Sequence, residues 1–277
     1  NSTAEAQRWL YNELCALQTC NHPFIVKFCF AEETLNHICI ATEFCPGGEM
    51  FRLMFEKQVF TADDVRFYAA EIALALGHLH SHDIIYRDLK PENITIDADG
   101  HIRLIDFGLA IKMTEEEHFS PEAGRKLVVS SSGTLNYCAP EVLRRVPHGP
   151  ETDWWSLGVL LYELYFGSLP FQSTETEDLC NEICSQPILR PEPLLEEEFD
   201  LFRLVQGLMN KDQNRRLGAE ANGGLGGLQK QPFFNGLDWD LILKKEVPAP
   251  WVPSLDSVCD TSYFDEEFTS QPVAQFS

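Results

Sequence analysis

The sequence predicts an α+β fold in which short strands gather in the first part of the chain and helices fill most of the rest. Runs rich in Ile, Phe and Val at 24–31 and 37–44 carry strand composition, and two shorter ones follow at 94–96 and 101–104. Helical periodicity dominates from Glu49 onward, and the stretch from Trp154 to Phe166 is almost wholly apolar, as a buried helix must be.

Each element has its own local reason. Up to about Leu17 the residues Trp9, Leu10, Leu14 and Leu17 are spaced for one helix face, and Pro23 then acts as a stop signal. The strands Phe24–Ala31 and His37–Phe44 are divided by a polar turn at Glu32–Asn36, and Pro46-Gly47-Gly48 ends the second. A short helix is expected from Glu49 to about Lys57. A long one follows from Thr61 to His80, its start marked by Thr61 with Asp64 three residues on and its apolar face formed by Tyr68, Ile72, Ala75, Leu76 and Leu79.

Strands Ile94–Ile96 and His101–Leu104 flank the turn Asp97-Ala98-Asp99-Gly100. Residues Met113–Ser132 are polar, acidic and Ser-rich, and a segment of that length inside a compact domain points to function or disorder. Further helices are expected at Thr176–Ser185 and Glu198–Met209. Gly223-Gly224-Leu225-Gly226-Gly227 follows no strand and has neither phosphate-loop spacing nor a Lys-Ser/Thr ending, so it reads as a surface loop. After about Pro248 the chain turns Pro- and Asp-rich without a clear period.

Composition narrows the function. The 277 residues suffice for a substantial core, and no apolar run approaches the roughly 18 to 20 residues of a membrane span. Nine Cys, an odd number without a Cys-x-x-Cys pair, read as reduced thiols rather than as zinc ligands or a disulfide framework, which suits the cytoplasm and also the nucleus. The formal charge of -22 argues against nucleic acid as a partner and fits basic ones, although excess carboxylate also serves simply to solvate a surface.

Three short motifs carry the chemistry. Tyr86-Arg87-Asp88-Leu89-Lys90-Pro91-Glu92-Asn93 is followed by Asp106-Phe107-Gly108 and then by Ala139-Pro140-Glu141, an order and spacing hard to obtain by chance. On these residues the chain resembles the eukaryotic protein kinases. Tyr86 in place of the commoner His, the run Asp153-Trp154-Trp155-Ser156-Leu157-Gly158 and the tail Asp260-Thr261-Ser262-Tyr263-Phe264-Asp265 resemble the AGC-type serine/threonine branch, which includes cyclic-AMP-dependent kinase, protein kinase B and the ribosomal-protein kinases.

The resemblance implies a two-lobed fold using ATP and Mg²⁺. Residues 1–45 correspond to part of the small lobe, 46–235 to the large lobe and 236–277 to the C-terminal extension. It also implies small-lobe strands ahead of Asn1, bearing a Gly-rich loop and a phosphate-holding Lys. Glu13 would pair with that Lys, although in sequence alone it is as easily a surface carboxylate.

Phosphoryl transfer needs a carboxylate for the acceptor hydroxyl, with metal and cations to offset charge on the moving group. Asp88 is the candidate base, Lys90 reaches the transferring phosphate, and Asn93 and Asp106 are hard oxygen ligands for Mg²⁺. By the resemblance, Thr134 bonds to Asp88 and Lys90. The backbone of Glu43 and Cys45 receives adenine, Thr42 stands at the back of that pocket, Thr95 forms its floor and Phe264 completes it from outside. Glu49, Glu92 and Glu163 match carboxylates that grip Arg upstream of the target residue, and Tyr137 packs near the residue that follows it.

Regulation and support are read the same way. Ser130 matches the activation-loop phosphorylation position, served by an upstream kinase, with Arg87 to receive the phosphate; Ser131 and Ser132 compete for that role, and Ser120-Pro121 forms a separate candidate. Glu141 with Arg216 resembles a buried ion pair, and Asp153 the carboxylate that holds the catalytic loop backbone. The expected activity is serine/threonine phosphorylation of Arg-containing protein substrates. Its rival is a catalytically silent, kinase-like scaffold, distinguished by the missing strand Lys.

Overall fold

The computed structural model describes residues 2–33, 38–113, 134–190 and 198–270, without the side chains of 2–9, 134 and 268. Ser130 and its competing serines, the remainder of the 114–133 segment and residues 271–277 lie outside the described residues.

Helix α1 (Ser2–Thr19) is followed by the antiparallel pair β1 (Phe28–Glu33) and β2 (Ile38–Thr42). The first strand begins later than its apolar composition suggests. Phe24, Ile25 and Val26 are buried against the larger part of the molecule: Val26 N–H donates to the Leu104 carbonyl at 3.0 Å, and Leu104 N–H donates to the Phe24 carbonyl at 2.9 Å. These residues dock on another hairpin, so strand-like composition there serves an interface instead of the sheet.

Helix α2 (Met50–Lys57) leads to α3 (Ala62–Ser81), the axis of the large part. Thr61 caps α3 as the sequence predicts: its hydroxyl accepts from Asp64 N–H at 3.2 Å, and the Asp64 carboxylate accepts from Thr61 N–H at 2.7 Å. Two orphan donors are thereby satisfied, a device worth about 1 kcal/mol. Strands β3 (Ile84–Ile85) and β6 (Ile111–Lys112) pair with each other, as do β4 (Ile94–Ile96) and β5 (Ile102–Leu104).

Beyond a short α4 (Pro140–Leu143), helix α5 (Glu151–Phe166) runs through the core, with Trp154, Trp155, Leu157, Val159, Leu160 and Leu161 all buried. Gly167 ends it in the left-handed region at φ 68, its N–H donating to the Glu163 carbonyl at 2.9 Å. Helices α6 (Thr176–Ser185) and α7 (Phe199–Leu208) fall where the periodicity put them.

The glycine-rich stretch is a correction. Instead of a loop it opens helix α8 (Gly224–Gln229), because Leu228 is buried in the core and Leu225 lies against Gly77 of α3, where an added Cβ would come within 2.6 Å of it. Tertiary packing overrides the low helix propensity of three glycines, Gly224, Gly226 and Gly227.

The tail adds α9 (Trp239–Leu243) and α10 (Glu266–Thr269). Between them it crosses two glycines that admit it. A Cβ on Gly100 (φ 88) would stand 2.1 Å from the Trp251 carbonyl oxygen, and one on Gly48 (φ 73) 2.5 Å from that of Tyr263.

Candidate active site

The 86–93 loop is held from beneath by α5. Asp153, fully buried near the start of that helix, accepts from the backbone N–H groups of Tyr86 at 2.9 Å and Arg87 at 2.8 Å, and a ring nitrogen of His80 lies 2.8 Å from the same carboxylate. These contacts sustain Arg87 at φ 67, a backbone state that costs about 1 to 3 kcal/mol in a non-glycine residue. The Arg87 guanidinium donates to the Leu109 carbonyl at 2.6 Å, tying the loop to the segment after Asp106.

Tyr86 explains why an aromatic suits that position. Its ring is buried, and its hydroxyl donates to the Ile105 carbonyl, with the Asn93 carbonyl 3.4 Å away. One phenol therefore joins the loop of Asp88 to the strand end that carries Asp106. Burial, reinforced by the carboxylates of Asp88, Asp106 and Asp153, raises its pKa well above the ordinary phenol value, so it remains a donor.

Asp88 is almost fully buried. One carboxylate oxygen accepts from the Asn93 side-chain amide at 2.7 Å and from the Lys90 ammonium at 2.8 Å, and the Asn93 amide nitrogen also donates to the Asp88 carbonyl at 2.9 Å. The other carboxylate oxygen, Oδ1, is buried with no hydrogen-bond partner among the described residues. A buried acceptor left open in an otherwise satisfied cluster is a vacant place for a donor such as an alcohol.

Asp106 is exposed at φ 56, with one oxygen accepting from Gly108 N–H at 3.0 Å. Glu13 on α1 faces it. Burial and then the Asp106 charge raise the Glu13 pKa, so two carboxylates repel across a gap in which a cation would be favoured. With its nitrogen committed to Asp88, Asn93 keeps its amide oxygen as an acceptor. No three His, Cys, Asp or Glu side chains converge on a metal-sized gap among the described residues. The pair Asn93 and Asp106 instead fits Mg²⁺, which takes one or two protein oxygens and completes its shell with phosphate and water.

The linker after β2 is built around Glu43 and Cys45. The Glu43 carboxylate accepts from Lys27 N–H and from Arg103 Nε, both at 2.9 Å, which leaves its carbonyl to another donor. Cys45 is buried beside Thr95, whose hydroxyl also lies 3.3 Å from the Arg103 carbonyl. Phe264 of the tail stacks on Phe44 with ring centroids 5.5 Å apart, so the tail closes the linker from outside. Thr42 is exposed at the end of β2, which pairs with β1 among the described residues.

The carboxylates form a continuous set. Tyr137 donates its hydroxyl to Glu163, and Glu163 also feels Glu92; Glu92 and Asp265 in turn act on Glu49. Burial is the main cause that raises the pKa of both Glu49 and Glu163, and neighbouring charge adds to it. Residue Thr134 lies in the 134–137 turn, and its side chain is outside the described residues.

Besides Asp153, the buried ion pair expected between Glu141 and Arg216 is present. Arg216, fully buried, donates to both oxygens of Glu141 at 2.5 and 2.8 Å. Several others escaped the sequence. Asp265 joins the acidic set because its neighbour Phe264 is anchored, and Glu71 is buried with His101 at 2.5 Å and Ile102 N–H at 3.0 Å. The Asp97 carboxylate takes both Arg103, at 3.0 Å, and Lys245 of the tail. The signal for Asp265 was its place beside an aromatic docking residue. The others sit at separations that no local pattern reveals.

Comparison with known proteins agrees with this geometry. The protein kinase domain family matches residues 1–223, and the protein kinase C terminal domain family matches 255–275. The chain is 40% identical over 251 residues to ribosomal protein S6 kinase 2 alpha of Xenopus laevis, covering 91% of this chain and 33% of the relative. It is 41% identical over the same length to putative ribosomal protein S6 kinase alpha-1 of Caenorhabditis elegans, 30% of which is covered, and to human ribosomal protein S6 kinase alpha-6, 32% covered. The chain thus spans about a third of the length of the curated relatives it matches.

Proposed function

The chain belongs to the protein kinase family, in its AGC-type branch, and from that premise we propose that it transfers the terminal phosphate of ATP to Ser or Thr in Arg-containing protein sequences. The observation that carries this reading is the vacant buried oxygen of Asp88, next to Lys90 and Asn93 in a loop tied to Asp106 through Tyr86.

Asp88 Oδ1 accepts the hydrogen bond of the acceptor alcohol, aims its lone pair at the phosphorus and takes the proton late in the transfer. The Asn93 amide fixes the other oxygen, so the carboxylate cannot rotate away. Lys90 stands close enough to shift from Asp88 toward the transferring group as negative charge gathers there. The oxygens of Asn93 and Asp106 would hold Mg²⁺, whose charge would offset that of the phosphates during attack.

Backbone groups of Glu43 and Cys45 receive adenine, with Thr42 and Thr95 beside it and Phe264 outside. The carboxylates of Glu49, Glu92 and Glu163 give a guanidinium directional, charge-assisted partners upstream of the acceptor. Thr134 steadies Asp88 and Lys90, and Tyr137 touches the residue after the acceptor. An upstream kinase acting on Ser130 regulates the enzyme through Arg87. The absence of disulfides among the nine cysteines supports a cytoplasmic or nuclear setting.

The test is phosphate transfer from ATP to a peptide library by the intact protein and by Asp88→Asn. We expect strong transfer to peptides with Arg two or three residues before Ser or Thr, and a loss of about 10²- to 10⁴-fold in D88N, the usual range for removing a general base. Equal activity in D88N, or indifference to Arg, would overturn the assignment.

A further inference from the structure

Helix α2 turns aromatic side chains toward solvent. Met50 and Leu53 are buried in the core, yet Phe51 is 54% exposed and Phe55 78% exposed. The two are four residues apart and so share one face of the helix. They form one wall of a cavity of about 610 Å³ whose other wall is the tail at Tyr263 and Phe264. Large aromatic surface gathered in a concave site and left open to water marks a place for a ligand.

The mouth of the cavity fixes the ligand's charge. Glu49, Glu92 and Asp265 line it, and burial together with the charges of the other two raises the Glu49 pKa. Glu56 is already compensated by Arg52, 2.9 Å away, whose guanidinium also lies 5.7 Å from the Tyr263 ring centroid. An apolar floor beside carboxylates that have no ion-pair partner among the described residues is complementary to a peptide with a bulky apolar side chain near an Arg, and to neither a plain acidic nor a plain basic segment.

We infer that this groove between α2 and the tail receives a Leu-, Ile- or Phe-like side chain of the substrate, on the far side of its Arg from the acceptor hydroxyl, and that Phe51 and Phe55 determine this specificity. The inference rests on the proposed reading of Glu49 and Glu92 as the Arg grip. Direction follows from the fold: Glu92 adjoins Asn93 of the catalytic loop, Glu49 immediately precedes α2, and the helix continues from there to Phe55. At about 1.5 Å per residue, Phe55 lies roughly 9 Å along the axis from Glu49. An extended peptide covers about 3.3 Å per residue, so the apolar side chain belongs two or three residues beyond the Arg.

The test measures binding apart from turnover. Fluorescent peptides with Arg fixed and each upstream position set to Leu, Phe or Ala are titrated by fluorescence polarisation into the intact protein, and the same peptides are assayed for phosphate transfer. We expect Leu or Phe at the stated positions to tighten binding over Ala by about tenfold, the scale set by apolar pockets. That ratio should fall toward one in Phe55→Ser and in the double variant F51S/F55S, and should survive in Phe55→Leu. Because Phe55 is mostly exposed, the single variant tests the idea without endangering the core.

Equal affinity for Leu, Phe and Ala in the wild type, or a preference that persists in both Ser variants, would overturn the groove, whether the site is then covered by another part of the chain or by a second copy. Phosphate transfer to Arg peptides without the apolar effect would sink this inference alone. Apolar-dependent binding without any transfer would sink the kinase reading and leave the groove standing.

Discussion

The side-chain amide of Asn93 donates to the carboxylate of Asp88 at 2.7 Å, so the residue assigned to the metal also sets the orientation of the base. Asn93→Ala removes both contributions. We expect kcat to fall further than loss of a metal ligand alone would cause, and saturating Mg²⁺ to restore only part of it. Full rescue at high Mg²⁺, measured in steady-state transfer, would show that the contact to Asp88 is dispensable.

Arg216 and Glu141 join α4 to the region after α7, with both partners buried. Glu141→Ala strands a guanidinium in the core and should cost about 3 to 5 kcal/mol. Chemical denaturation would register this as a lower midpoint with an unchanged slope. A loss below about 1 kcal/mol would mean that water reaches the site.

Asp153→Ala leaves the N–H groups of Tyr86 and Arg87 without their acceptor and removes the anchor of a left-handed residue. Each stranded donor costs about 1 to 3 kcal/mol. Activity should fall mainly through kcat, because among the described residues no hydrogen bond joins Asp153 to the linker proposed to receive adenine, and Asp153→Asn should recover part of it. A change confined to the KM for ATP would contradict this placement.

Gly48→Ala places a Cβ 2.5 Å from the Tyr263 carbonyl at φ 73. The strained conformation alone costs about 1 to 2 kcal/mol. Hydrogen exchange should rise in residues 254–265 of the tail while α3 and α5 remain protected. Unchanged exchange in the tail would show that it does not depend on this crossing.

His22 supplies a pH dependence. Burial, with His78 and Arg103 nearby, lowers its pKa to about 4. The unfolded chain, near 6.5, then binds more protons than the folded one between these values, so stability is full above about 6.5 and declines as pH falls toward 4. The neutral ring fits: its Nδ1 accepts from Phe24 N–H at 3.3 Å, and it stacks on His78 at 4.9 Å. Thermal melts from pH 7 to 4.5 should fall less steeply in His22→Gln than in the wild type, and parallel curves would refute the assignment.

Local chemistry made much of the fold legible. The cap at Thr61, the apolar run of α5, the positions of α6 and of the β4–β5 hairpin and the spacing of the loops bearing Asp88 and Asp106 all follow from short-range pattern. Where local pattern met a competing surface it failed. Phe24–Val26 has strand composition but docks on β5, and Gly224–Gln229 has loop composition but becomes helical under Leu225 and Leu228.

What the sequence determined by itself is the set of reacting groups and their order along the chain, because motif spacing and periodicity act over a few residues. Only the tertiary structure decided which oxygen of Asp88 stays open, that Tyr86 bridges to Ile105, and that the tail at Tyr263 faces Phe51 and Phe55 across a groove. Those relations join residues tens to hundreds of positions apart. They arise from packing and from the need to satisfy buried polar groups, which no local window of sequence records.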